Sequence, residues 1–164
     1  MSFATPTKKL SIERPASKVF CVPVIVSIAS QFSIHMAALV YSIQLGTPYM
    51  DLNDPSLHPD GAFTPSVINS IVFLVSTLLQ LNTFVVNYKG RPFMYSLHEN
   101  KAFFRAVLTA YALVIAALFE VFTPLNVALE MVPFPSFTVR FYVARQTLIF
   151  FNGFDIYRSS VKLV

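Results

Sequence analysis

At 164 residues, with 55% hydrophobic and only 12% charged side chains, the chain carries about half the charge of an ordinary soluble domain. With a mean hydropathy of +0.61, that balance points away from a water-soluble enzyme domain and toward a membrane protein. The net charge of +4 does not indicate a nucleic-acid surface, because Lys and Arg fall in short clusters between apolar runs, as membrane topology signals do.

The first segment, residues 1–19, reads as a basic lead containing Lys8, Lys9, Arg14 and Lys18. The apolar run behind it is too long for the core of a signal peptide, and no small-residue cleavage site follows. Cys21 is the single cysteine, which excludes a disulfide framework and a cysteine-based metal site. No charge occurs from Val19 to Met50, so a first membrane helix is expected over about residues 20–45. Pro23 falls in its first turn, where a missing N–H is harmless.

The charge-free run Gly61–Tyr88 predicts a second span over about 66–87. The run Ala106–Phe119 predicts a third over about 103–122, with Arg105 reaching back to the interface. A fourth, over about 136–157, carries Arg140 and Arg145 in its first half. Two readings fit it: a crossing helix with Arg145 packed on protein, or a partly interfacial aromatic helix. Residues 158–164 form a short tail. The fold class expected is therefore an all-α membrane protein with four transmembrane helices.

Loop charges orient the bundle. The lead has four Lys and Arg, and the loop Tyr88–Arg105 has Lys89, Arg91, Lys101 and Arg105. The tail has Arg158 and Lys162. The loops Gly46–Pro65 and Thr123–Pro135 have none, but carry Asp51, Asp54, Asp60 and Glu130. The positive-inside rule then places both termini and the 88–105 loop in the cytosol.

Polar residues inside the spans form stripes. Asn69, Ser76, Gln80, Thr83 and Asn87 share one face of the second helix, and Ser27, Gln31 and His35 one face of the first. Rise per residue puts Gln31 near the depth of Ser76 in an antiparallel neighbour. One reading is helix–helix packing through hydrogen bonds worth about 0.6 kcal/mol each. The other is a polar path at the bilayer midplane. Packing is favoured, since neither span holds an acidic residue. His35 and His98 lack the partners that a metal site needs; His58 could join Asp54 and Asp60 at a metal, but a solvated polar loop is favoured, so no metal is expected.

In the loop "NYKGRPFMYSLHENK", Gly90 and Pro92 break the second helix, while Phe93, Met94 and Leu97 suit either packing on protein or contact with headgroups. No phosphate-binding Gly-rich loop, zinc-protease helix or nucleophile elbow occurs.

The segments "KKLSIERP" (Lys8–Pro15), "QFSIHMAALVYS" (Gln31–Ser42), "FTPSVINS" (Phe63–Ser70), "TFVVNYKGRPFMYSLHENK" (Thr83–Lys101) and "LNVALEMVPFP" (Leu125–Pro135) together resemble the carboxy-terminal end of type V P-type ATPases, subgroup A, the endoplasmic-reticulum branch. The resemblance weakens in the fourth span. It implies that the four helices are the seventh to tenth of ten, a support domain of 20–157 in a multi-pass endoplasmic reticulum membrane protein. It also implies a dislocase that uses ATP and Mg to move misinserted transmembrane helices, such as those of mistargeted tail-anchored proteins. The family's partners would be the lipid bilayer, the rest of the pump and its helix substrates, with no nucleic acid. The phosphorylated Asp-Lys-Thr-Gly motif and the dephosphorylation motif are absent, so the chain reads as a piece of such a pump, inactive by itself, with no catalytic residue and no cofactor of its own. The loop residues Lys89, Gly90, Arg91, Pro92, Phe93, Glu99, Asn100 and Lys101 carry the family signature. The competing reading is a free-standing four-helix adaptor or regulatory subunit.

Overall fold

The computed structural model describes residues 6–8, 20–51, 53, 54, 58, 60–88, 90, 91 and 93–145. Among them the chain is helical, with no strand beyond an isolated bridge between Pro6 and Met94. In chain order, α1 is Val22–Gly46, followed by a 3₁₀ turn Thr47–Tyr49. Then come α2, Val67–Asn87; α3, Lys101–Leu118; and the short α4, Thr123–Ala128. A further helix, α5, runs over 137–145. Three of these, at Val24–Tyr49, Val67–Asn87 and Lys101–Leu118, are long and apolar enough to cross a membrane. The second half of the expected fourth span, and with it Tyr157 and the tail, lies outside the described residues.

Local chemistry sets the ends. α1 starts with Pro in its first turn, where the lost N–H has no intrahelical partner anyway. Ser66 caps α2 by accepting from the N–H of Asn69 at 3.2 Å, and Asn100 caps α3 by accepting from the N–H of Phe103 at 3.2 Å. α2 ends at Asn87, before Gly90, and no glycine among the described residues has a positive φ. The helix thus stops ahead of Gly90, where expected, and a Cβ at Gly90 would lie 3.1 Å from Ser96 Cα, so the glycine also permits close approach of two loop backbones. Pro92 and Lys89 lie outside the described residues.

The third span differs from the expected 103–122. It begins at Lys101 because Asn100 supplies the cap, and it stops at Leu118 because the chain turns left-handed at Glu120, φ 55. There Glu120 N–H donates to Ala117 O at 3.2 Å and Val121 N–H to Ala116 O at 2.9 Å, closing the helix in a Schellman turn. α4 stops the same way at Glu130, φ 50, with Met131 N–H on Asn126 O at 2.9 Å.

α2 is the centre of the bundle. Its Ile71, Leu74, Val75, Leu78 and Leu79 are buried against Ala38 of α1, Val114, Ala117 and Leu118 of α3, Phe134, and Val139 and Val143 of α5. Tyr142 of α5 packs on Tyr41 of α1 with ring centroids 4.6 Å apart, so Tyr41 contributes to helix packing. α1 lies at the periphery and is far less buried than α2. Gly46 lets α1 and α2 meet: a Cβ there would come within 2.7 Å of Ile68 Cγ1 and 3.3 Å of Ile68 Cα. Gly46→Val should therefore destabilise the α1–α2 pair by about 1–3 kcal/mol, read as an earlier transition in detergent-titration unfolding; an unchanged transition would mean that the helices do not pack at Gly46.

Candidate functional site

Two polar constellations stand out, a seam between α1 and α2 and the loop joining α2 to α3. In the seam, Gln31 Nε2 donates to Asn87 Oδ1 at 3.4 Å and Asn87 Nδ2 donates back to Gln31 Oε1 at 3.1 Å. Gln31 Nε2 also reaches Ser27 Oγ at 3.1 Å. One turn deeper, Thr83 Oγ1 lies 3.3 Å from His35 Nε2 and donates to the carbonyl of Leu79 at 2.8 Å. Two of the three residues in the α1 stripe thus meet two of the five in the α2 stripe directly.

The pairing depth departs from expectation. Gln31 faces Asn87, eleven residues from Ser76 and so about 16 Å away along the helix. The register is fixed at the other end of the pair, where Gly46 seats on Ile68. Ser76 instead turns its hydroxyl onto its own helix, 3.0 Å from Phe73 O. Asn69 and Gln80 are exposed on α2 and join no seam bond among the described residues.

Residues that the stripe pattern misses supply the inner polar contacts. Asn82 is fully buried and accepts from the hydroxyl of Tyr111 on α3. Its Nδ2 has no protein partner among the described residues. Asn82 lies about 100° around α2 from Thr83, facing a different neighbour. Only the chemistry of an amide inside an apolar run could have flagged it. Ser70 accepts from Val132 N–H at 3.0 Å, tying the 123–135 connection to α2. Asn126 Nδ2 donates to Ala117 O at 2.9 Å, at the end of α3.

Glu120 holds the start of α5. Its Oε1 accepts from Arg140 at 2.7 Å and from Phe134 N–H at 3.1 Å, with the two side chains 22% and 30% exposed for Arg140 and Glu120. Arg140 thereby brings a paired charge, not a bare one, to the apolar bundle. Arg145 is exposed at the last described residue of α5.

The loop is internally bonded. Arg91 pairs with Glu99, whose Oε2 also accepts from Ser96 N–H at 2.8 Å. Tyr88 stacks on Phe103 at 5.0 Å and donates its hydroxyl proton to Tyr95 O at 3.0 Å. Asn100 Nδ2 reaches the Tyr88 hydroxyl at 3.4 Å. The lead comes to the same loop: Thr7 N–H and Oγ1 both donate to Phe93 O, at 3.2 and 3.3 Å. Of the signature residues, Gly90, Arg91, Phe93, Glu99 and Asn100 are thus brought together, while Lys101 opens α3 as an exposed residue. None of these side chains forms a nucleophile–base pair, and among the described residues no group of three His, Cys, Asp or Glu could hold a metal ion.

The described residues form a helical bundle with hydrogen-bonded seams, three of its helices long and apolar enough to cross a membrane. No protein-family profile matches the chain. It is, however, 38% identical over 135 residues, 82% of its length, to the probable manganese-transporting ATPase PDR2 of Arabidopsis thaliana. It is 35% identical over 133 residues, 81% of its length, to the endoplasmic reticulum transmembrane helix translocase of Saccharomyces cerevisiae. To the translocase of the same name from Schizosaccharomyces pombe it is 34% identical over 132 residues, 80% of its length. The chain spans about 11% of the length of these curated relatives, matching their C-terminal part. The chain belongs to the type V P-type ATPase family.

Two outcomes follow from the geometry. Arg91 and the Ser96 N–H hold the Glu99 carboxyl down from 4.5 to about 2. Its contribution to loop stability is therefore full above about 4.5 and lost as pH falls through about 2. A carboxyl-carbon NMR titration should give that low midpoint, and Arg91→Gln should move it toward 4.5; a midpoint near 4.5 in the unaltered chain would exclude the ion pair. A double-mutant cycle on Gln31→Leu and Asn87→Leu should return a coupling of about 0.6 kcal/mol, and zero coupling would remove the seam.

Proposed function

We propose that the chain is the C-terminal membrane portion of an endoplasmic-reticulum P-type ATPase that moves misinserted transmembrane helices, and that it supports the transport path rather than performing the chemistry. The observation that carries this reading is the match of about 81% of the chain to the C-terminal part of relatives named transmembrane helix translocases. Four helices cross the membrane, the last over 136–157, with both termini and the 88–100 loop in the cytosol. The lead and this loop share one end of the bundle, where Thr7 bonds Phe93, which supports placing them on one side. The charge asymmetry of the loops supports that side being cytosolic. ATP and Mg bind the remainder of the pump, which forms the aspartyl phosphate. The chain's other partners are the bilayer and, through the whole pump, helix substrates.

A second reading, manganese transport, has the name of the Arabidopsis relative in its favour. Against it, α1, α2 and α3 contain no carboxylate, and hard divalent cations take oxygen ligands, carboxylates prominent among them.

The test co-expresses this chain with the yeast translocase truncated of its matched C-terminal part, in cells lacking the intact translocase. Restored removal of a misinserted helix reporter from the endoplasmic reticulum supports the proposal. Phosphoenzyme turnover driven by manganese and not by the reporter would favour the second reading. Association without restored removal would favour an adaptor. For topology, Ser96→Cys in a Cys21→Ser background should react with an impermeant maleimide only from the cytosolic side; labelling from the lumen would invert the bundle.

A further inference from the structure

Gln80 lies three residues from the middle of α2, roughly 5 Å along the axis and therefore deep in the apolar layer. The hydroxyls near this depth are satisfied by their own helix, and the buried Asn82 is bonded through its Oδ1 to Tyr111. Ser76 and Thr77 donate to Phe73 O at 3.0 and 2.8 Å, and Thr83 to Leu79 O at 2.8 Å. Gln80 is exposed, with no hydrogen bond among the described residues. It shares its face of α2 with Phe73 (44% exposed) and Phe84 (65%), and with Asn87, the seam residue. The face adjoins the α1–α2 seam through Asn87, and α1 is itself almost unburied for a helix able to cross a membrane. A primary amide presented to hydrocarbon has neither water nor backbone to bond.

We infer that this exposed face of α2 packs against a transmembrane helix supplied by the part of the pump outside residues 1–164, which hydrogen-bonds Gln80 through a polar side chain while Phe73 and Phe84 flank the contact. The inference rests on the proposed reading and names the surface through which it operates. Lipid alone leaves the amide unsatisfied. A second copy could bring its own Gln80, but the chain spans only about 11% of its relatives' length, so the bulk of the longer protein is the occupant that the sequence relationship itself supplies.

The test places p-benzoylphenylalanine at Phe84 in the full chain, co-expressed with the truncated yeast translocase in endoplasmic reticulum membranes. Irradiation should yield an adduct joining the chain to a membrane segment of the translocase, mapped by mass spectrometry. Gln80→Leu should weaken co-purification about threefold, and Gln80→Asn should retain it. Chain–chain adducts, or lipid adducts only, would overturn the inference while leaving the reading intact, provided that the unaltered chain still co-purifies with the translocase. Loss of co-purification by the unaltered chain would overturn both.

Discussion

Hydrogen-bond satisfaction away from water is the constraint on which this bundle depends. A backbone or side-chain dipole in hydrocarbon must find its partner inside the protein. Helices meet that demand for the backbone, and the side chains follow by two routes. Hydroxyls fold back on their own helix, as Ser33 does on Ala29, Ser42 on Ala38 and Thr83 on Leu79. Amides have a longer reach and bond across helices, as Gln31 does with Asn87 and Asn82 with Tyr111. The central position of α2 follows from this, because it offers one amide toward α1 and another toward α3 while Leu74, Val75 and Leu78 fill the space between.

The same constraint shapes the bundle end away from the 88–100 loop. Two helices stop there at glutamates in the left-handed region, a conformation that costs a non-glycine residue on the order of 1 kcal/mol or more. At Glu120 the cost is offset by what the carboxylate reaches from that position, the Arg140 guanidinium and the Phe134 N–H. A glycine would relax the turn but leave Arg140 without its counter-ion at the start of an apolar helix. The pair anchors α5, whose Val139 and Val143 then bury against the α2 core. At the opposite end the equivalent anchoring is done by a loop, where Arg91–Glu99 and Tyr88–Asn100 hold a shape onto which the lead can dock. These bonds join the end of α2 to the start of α3 through the signature segment.

The helices themselves were legible from charge and length. The expected second span, 66–87, differs from α2 by one residue, and the first, 20–45, from α1 by two at most. The third was misread at both ends, because a cap at Asn100 and a Schellman turn at Glu120 are local side-chain geometries that hydropathy does not register. The stripes on α1 and α2 were legible as faces. Their partners were not, since depth matching assumed comparable offsets while the contact of Gly46 with Ile68 set the true register. Asn82 and Asn126 escaped notice because neither belongs to a repeated polar pattern.

Sequence alone determined that the chain is a helical membrane protein, where its first spans lie, the sign alternation of its loops and its kinship, because transfer of apolar side chains out of water and the cost of charge in lipid act residue by residue along the chain. Only the tertiary structure decided which helix is central, which amides pair, how Arg140 is neutralised and that the lead meets the loop at Phe93. Those outcomes depend on the relative register and rotation of helices distant in sequence, set by a few close contacts such as Gly46 on Ile68, where shifting one helix by a turn would exchange every partner.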